Sequence, residues 1–291
     1  MSCPHTVFII PYRNRPNEKK SLDEYFFRLK NDRKWSDDKV KFLYIHQVDD
    51  KLFNRGAMKN IGFIYIKNTY PKHYKDITLI FHDVDFYPDS TSLLPYKAKD
   101  GEVEHYYGFK YVLGGIFCIK GKDFEKIGGF PNYWGWGFED NKIYLRCLES
   151  KLTINRDNFY DIYDKHFIYY DKGDKNDLVK TISDLEFNLF QSKVYGETFN
   201  DIKNLKITVV ENIVNVTYFE TGRMYTRTEF SRKNLRGTGG RVYVRKGWWR
   251  KNWSMNQLHV EKKNTRYNVK QPVLQKNNLV QSTMRRNWKL F

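Results

Sequence analysis

The sequence predicts an α/β protein with a mostly parallel central sheet, and three observations carry that prediction. Short β-branched and aromatic runs at residues 6–10, 41–47 and 78–81 read as buried strands. Stretches with helical spacing of apolar residues follow them, at 17–34, from 55 onward and at 141–150. Strands alternating with helices in this way make a layered sheet. At 291 residues, with 40% hydrophobic and 17% aromatic content, the chain is also long enough to bury a substantial core.

Taken in order, residues 6–10 form the first strand, which Pro11 is expected to stop. The loop behind it, Pro11-Tyr-Arg13-Asn-Arg15-Pro, carries two arginines at a strand end. Ligands of α/β sheets bind there, and the guanidinium fork matches phosphate; a solvated basic turn is the alternative. Residues 41–47 form the second strand, and Phe53-Asn-Arg55 opens a helix with Asn54 as its cap. Arg55 falls in the first turn, where an anion-binding role is natural. The third strand runs into His82-Asp83-Val84-Asp85, whose two carboxylates point to one side of an extended backbone. Hard carboxylate oxygens suit Mg²⁺ or Mn²⁺, an ion that can bridge a diphosphate.

Residues 112–119 read as a strand with the glycine pair Gly114 and Gly115, where backbone lies close to a ligand. A short helix over 121–127 leads into Gly128-Gly-Phe-Pro-Asn-Tyr133-Trp134-Gly-Trp136-Gly137-Phe-Glu139-Asp140-Asn, the most distinctive stretch of the chain. Its glycines permit close approach, and its aromatic residues offer flat faces of the kind that stack on sugar rings. Glu139 and Asp140 open the helix at 141–150, whose N-terminus favours ionised acids. Beyond it, residues 157–177, including His166, read as loop with intermittent strand. Residues 178–194 have helical spacing and 205–219 alternate as one strand.

Charge divides the chain in two. Of the 51 lysines and arginines, 18 fall in residues 223–291 with only two acids, giving +16 there and +1 over residues 1–222. The boundary is therefore drawn at 222/223: an α/β domain over 1–222, then a basic, Trp-containing extension over 223–291. That extension suits an anionic partner such as nucleic acid, an anionic membrane or an acidic glycan; packing onto the main domain is the other reading. Three cysteines without metal-type spacing fit a reducing compartment. No apolar run reaches the roughly 18 residues of a membrane helix, and the start lacks a signal-peptide core.

With these motifs in place, the sequence resembles the β-1,4-galactosyltransferase family over about residues 5–222. The likeness rests on Ile10-Pro-Tyr-Arg-Asn-Arg15, Phe53-Asn-Arg55 with Asn60-Ile-Gly-Phe63, His82-Asp-Val-Asp85, Gly114-Gly115 and Gly129 to Asp140. The resemblance implies a GT-A type, Rossmann-like fold and inverting transfer of galactose from a UDP-sugar to a sugar acceptor in β-1,4 linkage, assisted by Mn²⁺. It implies that Pro11, Arg13, Arg15, Phe53 and Arg55 hold the uridine diphosphate, that Asp83 and Val84 line the donor site, and that Asp85 ligates the metal. Trp136 would sit on a closing loop. Val112, Gly114, Gly115, Tyr133, Trp134 and Gly137 would line the donor and acceptor pocket, with Glu139 and Asp140 facing the acceptor and Asp140 as base.

The sequence departs from the family at several points. Asn141 follows the acid pair, Phe138 precedes it, and the downstream histidine ligand maps to His166 with a shift or to Tyr170 without one. Val112 replaces a tyrosine that family members selective for galactose carry, which leaves UDP-GalNAc open beside UDP-galactose. The family's membrane anchor and disulfides have no counterpart here, so the expectation is a microbial or viral member acting in the cytoplasm on a glycan or glycosylated protein. The Golgi lumen would apply only to a chain from which an anchor had been removed. Two other readings stay open: a polypeptide GalNAc-transferase-like enzyme, and an inactive glycan- or nucleic-acid-binding protein that works through its basic tail.

Overall fold

The computed structural model describes residues 3–135, 137–170 and 197–222. Trp136, the helix expected over 178–194 and the basic extension over 223–291 lie outside these residues. Eleven strands, four α-helices and a 3-10 helix, Phe199–Asp201, are formed within them. In chain order these are β1 Thr6–Tyr12, α1 Pro16–Asp32, β2 Val40–Gln47, α2 Arg55–Thr69, β3 Thr78–His82, β4 Phe86–Pro88, β5 Glu102–Gly108 and β6 Ile116–Lys120. There follow α3 Gly121–Lys126, α4 Glu139–Glu149, β7 Thr153–Asn155, β8 Tyr160–Asp161, β9 Phe167–Tyr169, β10 Lys203–Val210 and β11 Ile213–Glu220.

The main sheet runs β10-β11-β2-β1-β3-β6-β5-β7, with β8 also on β5, and β4 pairs β9 separately. Pairs β11/β2, β2/β1, β1/β3, β5/β7 and β5/β8 are parallel, whereas β10/β11, β3/β6 and β6/β5 are antiparallel. Why β1 is an unbroken apolar run is clear from its two faces. Val7 and Ile9 pack with α2, α3 and α4 residues on one side, and Phe8 and Ile10 with α1 on the other. A strand covered on both faces cannot afford the polar alternation of a half-exposed one. Leu79 and Phe81 against Ile80 in β3 repeat the division.

Four expectations are corrected. β1 continues through Pro11 to Tyr12, because β3 pairs only as far as Ile9 and the strand beyond has a partner on one flank alone. The single strand expected over 205–219 is the β10/β11 hairpin, turned at Glu211, whose φ is 53°. The strand expected from 112 begins at Ile116, after a turn in which Gly115 takes φ 69°. β4 and β5 are strands that the sequence pattern did not mark.

Because β1, β2 and β3 are parallel, their C-terminal ends open on one edge of the sheet. The loop after β1, the start of α2, the Asp83–Asp85 segment and the glycine turn before β6 all meet there.

Candidate active site

The start of α2 is built to be rigid. Asn54 caps the helix by accepting from the Ala57 N–H at 2.9 Å, and its own backbone N–H donates to Gln47 Oε1 at 2.8 Å. Its side-chain amide donates to the Asn132 carbonyl at 3.0 Å. Farther along, the Asn60 amide donates to the Phe130 carbonyl (2.8 Å) and Asn132 Oδ1 (2.9 Å) and accepts from the Phe130 N–H (2.8 Å). One helix thus holds the glycine- and aromatic-rich stretch at both ends of its irregular backbone.

From this platform Arg55 reaches three carboxylates. Its Nη1 donates to Asp83 Oδ2 at 2.8 Å, its Nε to Glu139 Oε1 at 2.8 Å, and its Nη2 to Asp140 Oδ2. These acids come from the end of β3 and the first turn of α4, so a single guanidinium joins motifs 28, 84 and 85 residues away. Lys59, one turn on, places Nζ 3.4 Å from Asp83 Oδ1 and 3.7 Å from Asp140 Oδ1 while fully buried. Sequence reading passed over Lys59. The signal was there: a lone lysine four residues after Arg55, among apolar positions of a buried helix.

The electrostatics follow from burial. The Asp140 carboxyl is pushed up to about 6 by burial, which outweighs the opposing pull of Arg55 and Lys59. Burial works against the charge of Arg55, but Asp140, Asp83 and Glu139 more than offset it and hold the guanidinium well above its ordinary value. Space around Asp140 is equally constrained. The Leu113 N–H donates to its carbonyl at 3.0 Å, and a methyl group on Gly114 would collide with its carboxylate. Glu139 Oε2 accepts from the Gly137 N–H at 3.0 Å, and Phe138 between them holds a left-handed backbone, φ 66°.

Other expected site residues lie around this cluster with different partners. Pro11 is in β1, Arg13 donates to the carbonyls of Asp49 (2.8 Å) and Lys51, and Arg15 pairs with Glu18 at 3.0 Å with 46% of its side chain exposed. Phe53 and Val84 pack against the two cores, and Val112 is buried. Gly115 accepts from the Asp83 N–H at 3.3 Å, which ties the glycine turn to the acid loop.

Three of the expected residues have surroundings other than those expected. Tyr133 and Trp134 are only 2% and 3% exposed, and the Trp134 ring stacks on Phe219 at 5.2 Å as part of the core. His166 does not join Asp85. The Asp85 carbonyl accepts from the Tyr170 N–H at 3.1 Å, whereas the His166 carbonyl accepts from Asp89 at the other end of the β4/β9 pair. Its ring bonds Asp164 at 2.7 Å. The unshifted reading, Tyr170, is the one that lies beside Asp85. Among the described residues no group of three or more His, Cys, Asp or Glu side chains is arranged to hold a metal ion.

A two-sided α/β sheet with its acid motif at a strand end and a second acid pair on a facing helix is the GT-A type glycosyltransferase fold. The catalytic domain of Drosophila β-1,4-galactosyltransferase 7, solved with xylobiose, shares it with a TM-score of 0.57 at 20% identity, covering 73% of this chain and 93% of that one. A mutant of the same enzyme, solved with manganese, UDP-Gal and xylobiose, gives 0.56 at 20% identity over the same shares. Residues 2–97 match the family profile described as the N-terminal region of glycosyl transferase group 7, and residues 98–169 match the one described as the N-terminal domain of galactosyltransferase. Together these matches span more than half of the chain, which belongs to this family. Among characterised relatives, it is 31% identical over 158 residues to the xylosylprotein 4-β-galactosyltransferase of Caenorhabditis elegans, covering 51% of this chain and 52% of that protein. To β-1,4-galactosyltransferase 1 of Mus musculus it is 33% identical over 165 residues, covering 53% and 40%. The chain thus spans about half the length of these relatives or less. No helix among the described residues is long and apolar enough to cross a membrane.

Proposed function

We propose that this chain is an inverting glycosyltransferase that moves galactose, or GalNAc, from a UDP-sugar to a sugar acceptor in β-1,4 linkage. The observation that carries this reading is the Arg55 cluster, in which one buried guanidinium gathers Asp83, Glu139 and Asp140 at the open edge of the parallel strands. Galactosyltransferase relatives and the neighbour solved with UDP-Gal support the same chemistry.

In this mechanism Asp140 takes the proton of the acceptor hydroxyl as that oxygen bonds to the anomeric carbon. The bond from that carbon to the diphosphate oxygen breaks, and UDP departs with the electron pair. A carboxyl raised to about 6 is a suitable base near neutral pH, because it is ionised yet still basic. Glu139, held by Arg55 and the Gly137 N–H, orients the acceptor beside it. Arg55 and Arg13, with Pro11, Arg15 and Phe53, bind the nucleotide, and Val84, Val112 and Gly115 shape the donor pocket.

The acid loop fits a hard divalent ion. Its carboxylate oxygens are of the kind such an ion takes, although among the described residues no group of three or more His, Cys, Asp or Glu side chains is arranged to hold one. Asp83 is engaged by Arg55 and Lys59, and the resemblance to the galactosyltransferase family gives Asp85 as the residue that would hold Mn²⁺. A bound ion would supply positive charge to the departing diphosphate. Catalysis is assigned to residues 1–222, and contact with an anionic partner to the basic extension over 223–291.

The test is UDP release from a panel of UDP-sugars with GlcNAc, glucose and xyloside acceptors, with and without Mn²⁺. We expect release from UDP-Gal or UDP-GalNAc that needs Mn²⁺, rises with one acceptor and is lost in Asp140→Asn. In the wild type, kcat should fall about tenfold per pH unit below the Asp140 value. No release from any donor, or normal turnover by Asp140→Asn, would overturn the reading.

A further inference from the structure

Lys59 has no part in the reaction just described, yet it is the most thoroughly enclosed charge in the site. It is 0% exposed, lies one turn beyond Arg55 on the same face of α2, and sits 4.8 Å above the Phe130 ring. Its Nζ approaches Oδ1 of both Asp83 and Asp140, at 3.4 and 3.7 Å. Arg55 takes Oδ2 of both. Each carboxylate is therefore bracketed by two cations, one on each oxygen. A buried ammonium is costly unless it is paired, and an apolar side chain would fill this helix position without that cost.

The two cations differ in what can reach them. Arg55 keeps 14% of its side chain exposed and presents a planar fork that matches phosphate. Lys59 has no surface for a ligand to touch. The charged groups facing Asp140 are Arg55 and Lys59 from α2, Asp83 from the end of β3 and Glu139 from its own helix; residues 112–115 bring no titratable group. When a diphosphate engages Arg55, the neighbours left to Asp140 are two acids and Lys59. The acids favour its protonation, and Lys59 alone opposes it.

We propose that Lys59 is a positioning residue that keeps Asp140 ionised and aimed while Arg55 is drawn to the donor diphosphate. The inference rests on the transferase reading above. Its test compares the pH profiles of kcat and of donor KM for the wild type, Lys59→Met, Lys59→Gln and Lys59→Arg, with thermal unfolding to confirm that each variant is folded. The uncharged variants are expected to move the acid limb of kcat upward by about one pH unit, a tenfold loss on that limb, with donor KM changed less than about threefold. Lys59→Arg is expected to restore the limb.

An acid limb in a folded Met or Gln variant that coincides with the wild type overturns the proposal, as does an Arg variant no better than Met. A second measurement does not depend on the variants folding. In ¹³C-carboxyl NMR of the wild type at pH 7, Asp140 should stay ionised when UDP binds, and protonation on binding overturns the proposal. A wild type that releases no UDP sinks the transferase reading itself; an active wild type with an unshifted Lys59→Met profile sinks only this one.

Discussion

Asp140 is fixed from behind by Gly114, and that contact makes a sharp test of how closely the proposed base must be aimed. Gly114 has an ordinary backbone, so Gly114→Ala carries no conformational strain; its methyl simply takes the space of the Asp140 carboxylate. Displacing a catalytic group by about 1 Å costs on the order of a hundredfold in rate. We expect kcat of Gly114→Ala to fall by about that factor while UDP affinity, measured by calorimetry, stays within about threefold. At this scale Arg55, Asp83, Glu139 and Asp140 were legible because charged residues at strand ends and helix starts stand out from an apolar background. Lys59 was not, since a single lysine in a helix ordinarily marks a solvated face. The core packing of Trp134 was not legible for the converse reason: an aromatic ring suited to a sugar is equally suited to Phe219.

Among the elements, α2 does the organising, since it carries both cations and anchors the 129–135 stretch through Asn54 and Asn60. Asn60 uses both its carbonyl and its amino group on buried partners. Asn60→Ala strands the Phe130 N–H and carbonyl, and a buried group left unpaired costs about 1–3 kcal/mol. The expected loss is therefore about 3 kcal/mol in urea unfolding, accompanied by a raised donor KM as the loop loosens; an unchanged midpoint would refute it. The helices among the described residues were legible from their periodicity. The β10/β11 hairpin was not, because its turn is made at Glu211-Asn212, without the glycine that usually signals one. β5 was missed because it buries Glu104 and His105, which break the apolar pattern of an interior strand.

For the molecule as a whole, buried titratable groups set how stability follows pH. His105 is buried with Arg156 donating to its Nδ1 at 3.1 Å and Gly114 accepting from Nε2 at 3.3 Å, and burial lowers it to about 3. Its folded value lies below the roughly 6.5 of an unfolded histidine, so its contribution is complete above that pH and is lost as pH falls toward 3. His82, lowered to about 4 by burial, acts in the same sense. Glu104, raised to about 7 by burial, acts in the opposite one, since its contribution is lost as pH rises through that value. Comparing the wild type with His105→Gln isolates one group. Between pH 6.5 and 4 the wild type should lose about 1.4 kcal/mol per pH unit relative to the variant in denaturant unfolding, and parallel curves would refute the assignment. The layered sheet and its open edge were legible at this scale, because alternating periodicities specify layers. The neutral form of His105 was not, since a histidine's charge is decided by neighbours from distant parts of the chain. The same remoteness governs how the site comes into being. Arg55 meets Asp140 across 85 residues, so the chain must close a long loop before the charges find one another. During refolding, helices form early and locally, whereas the Arg55 cluster is assembled only with that long-range closure.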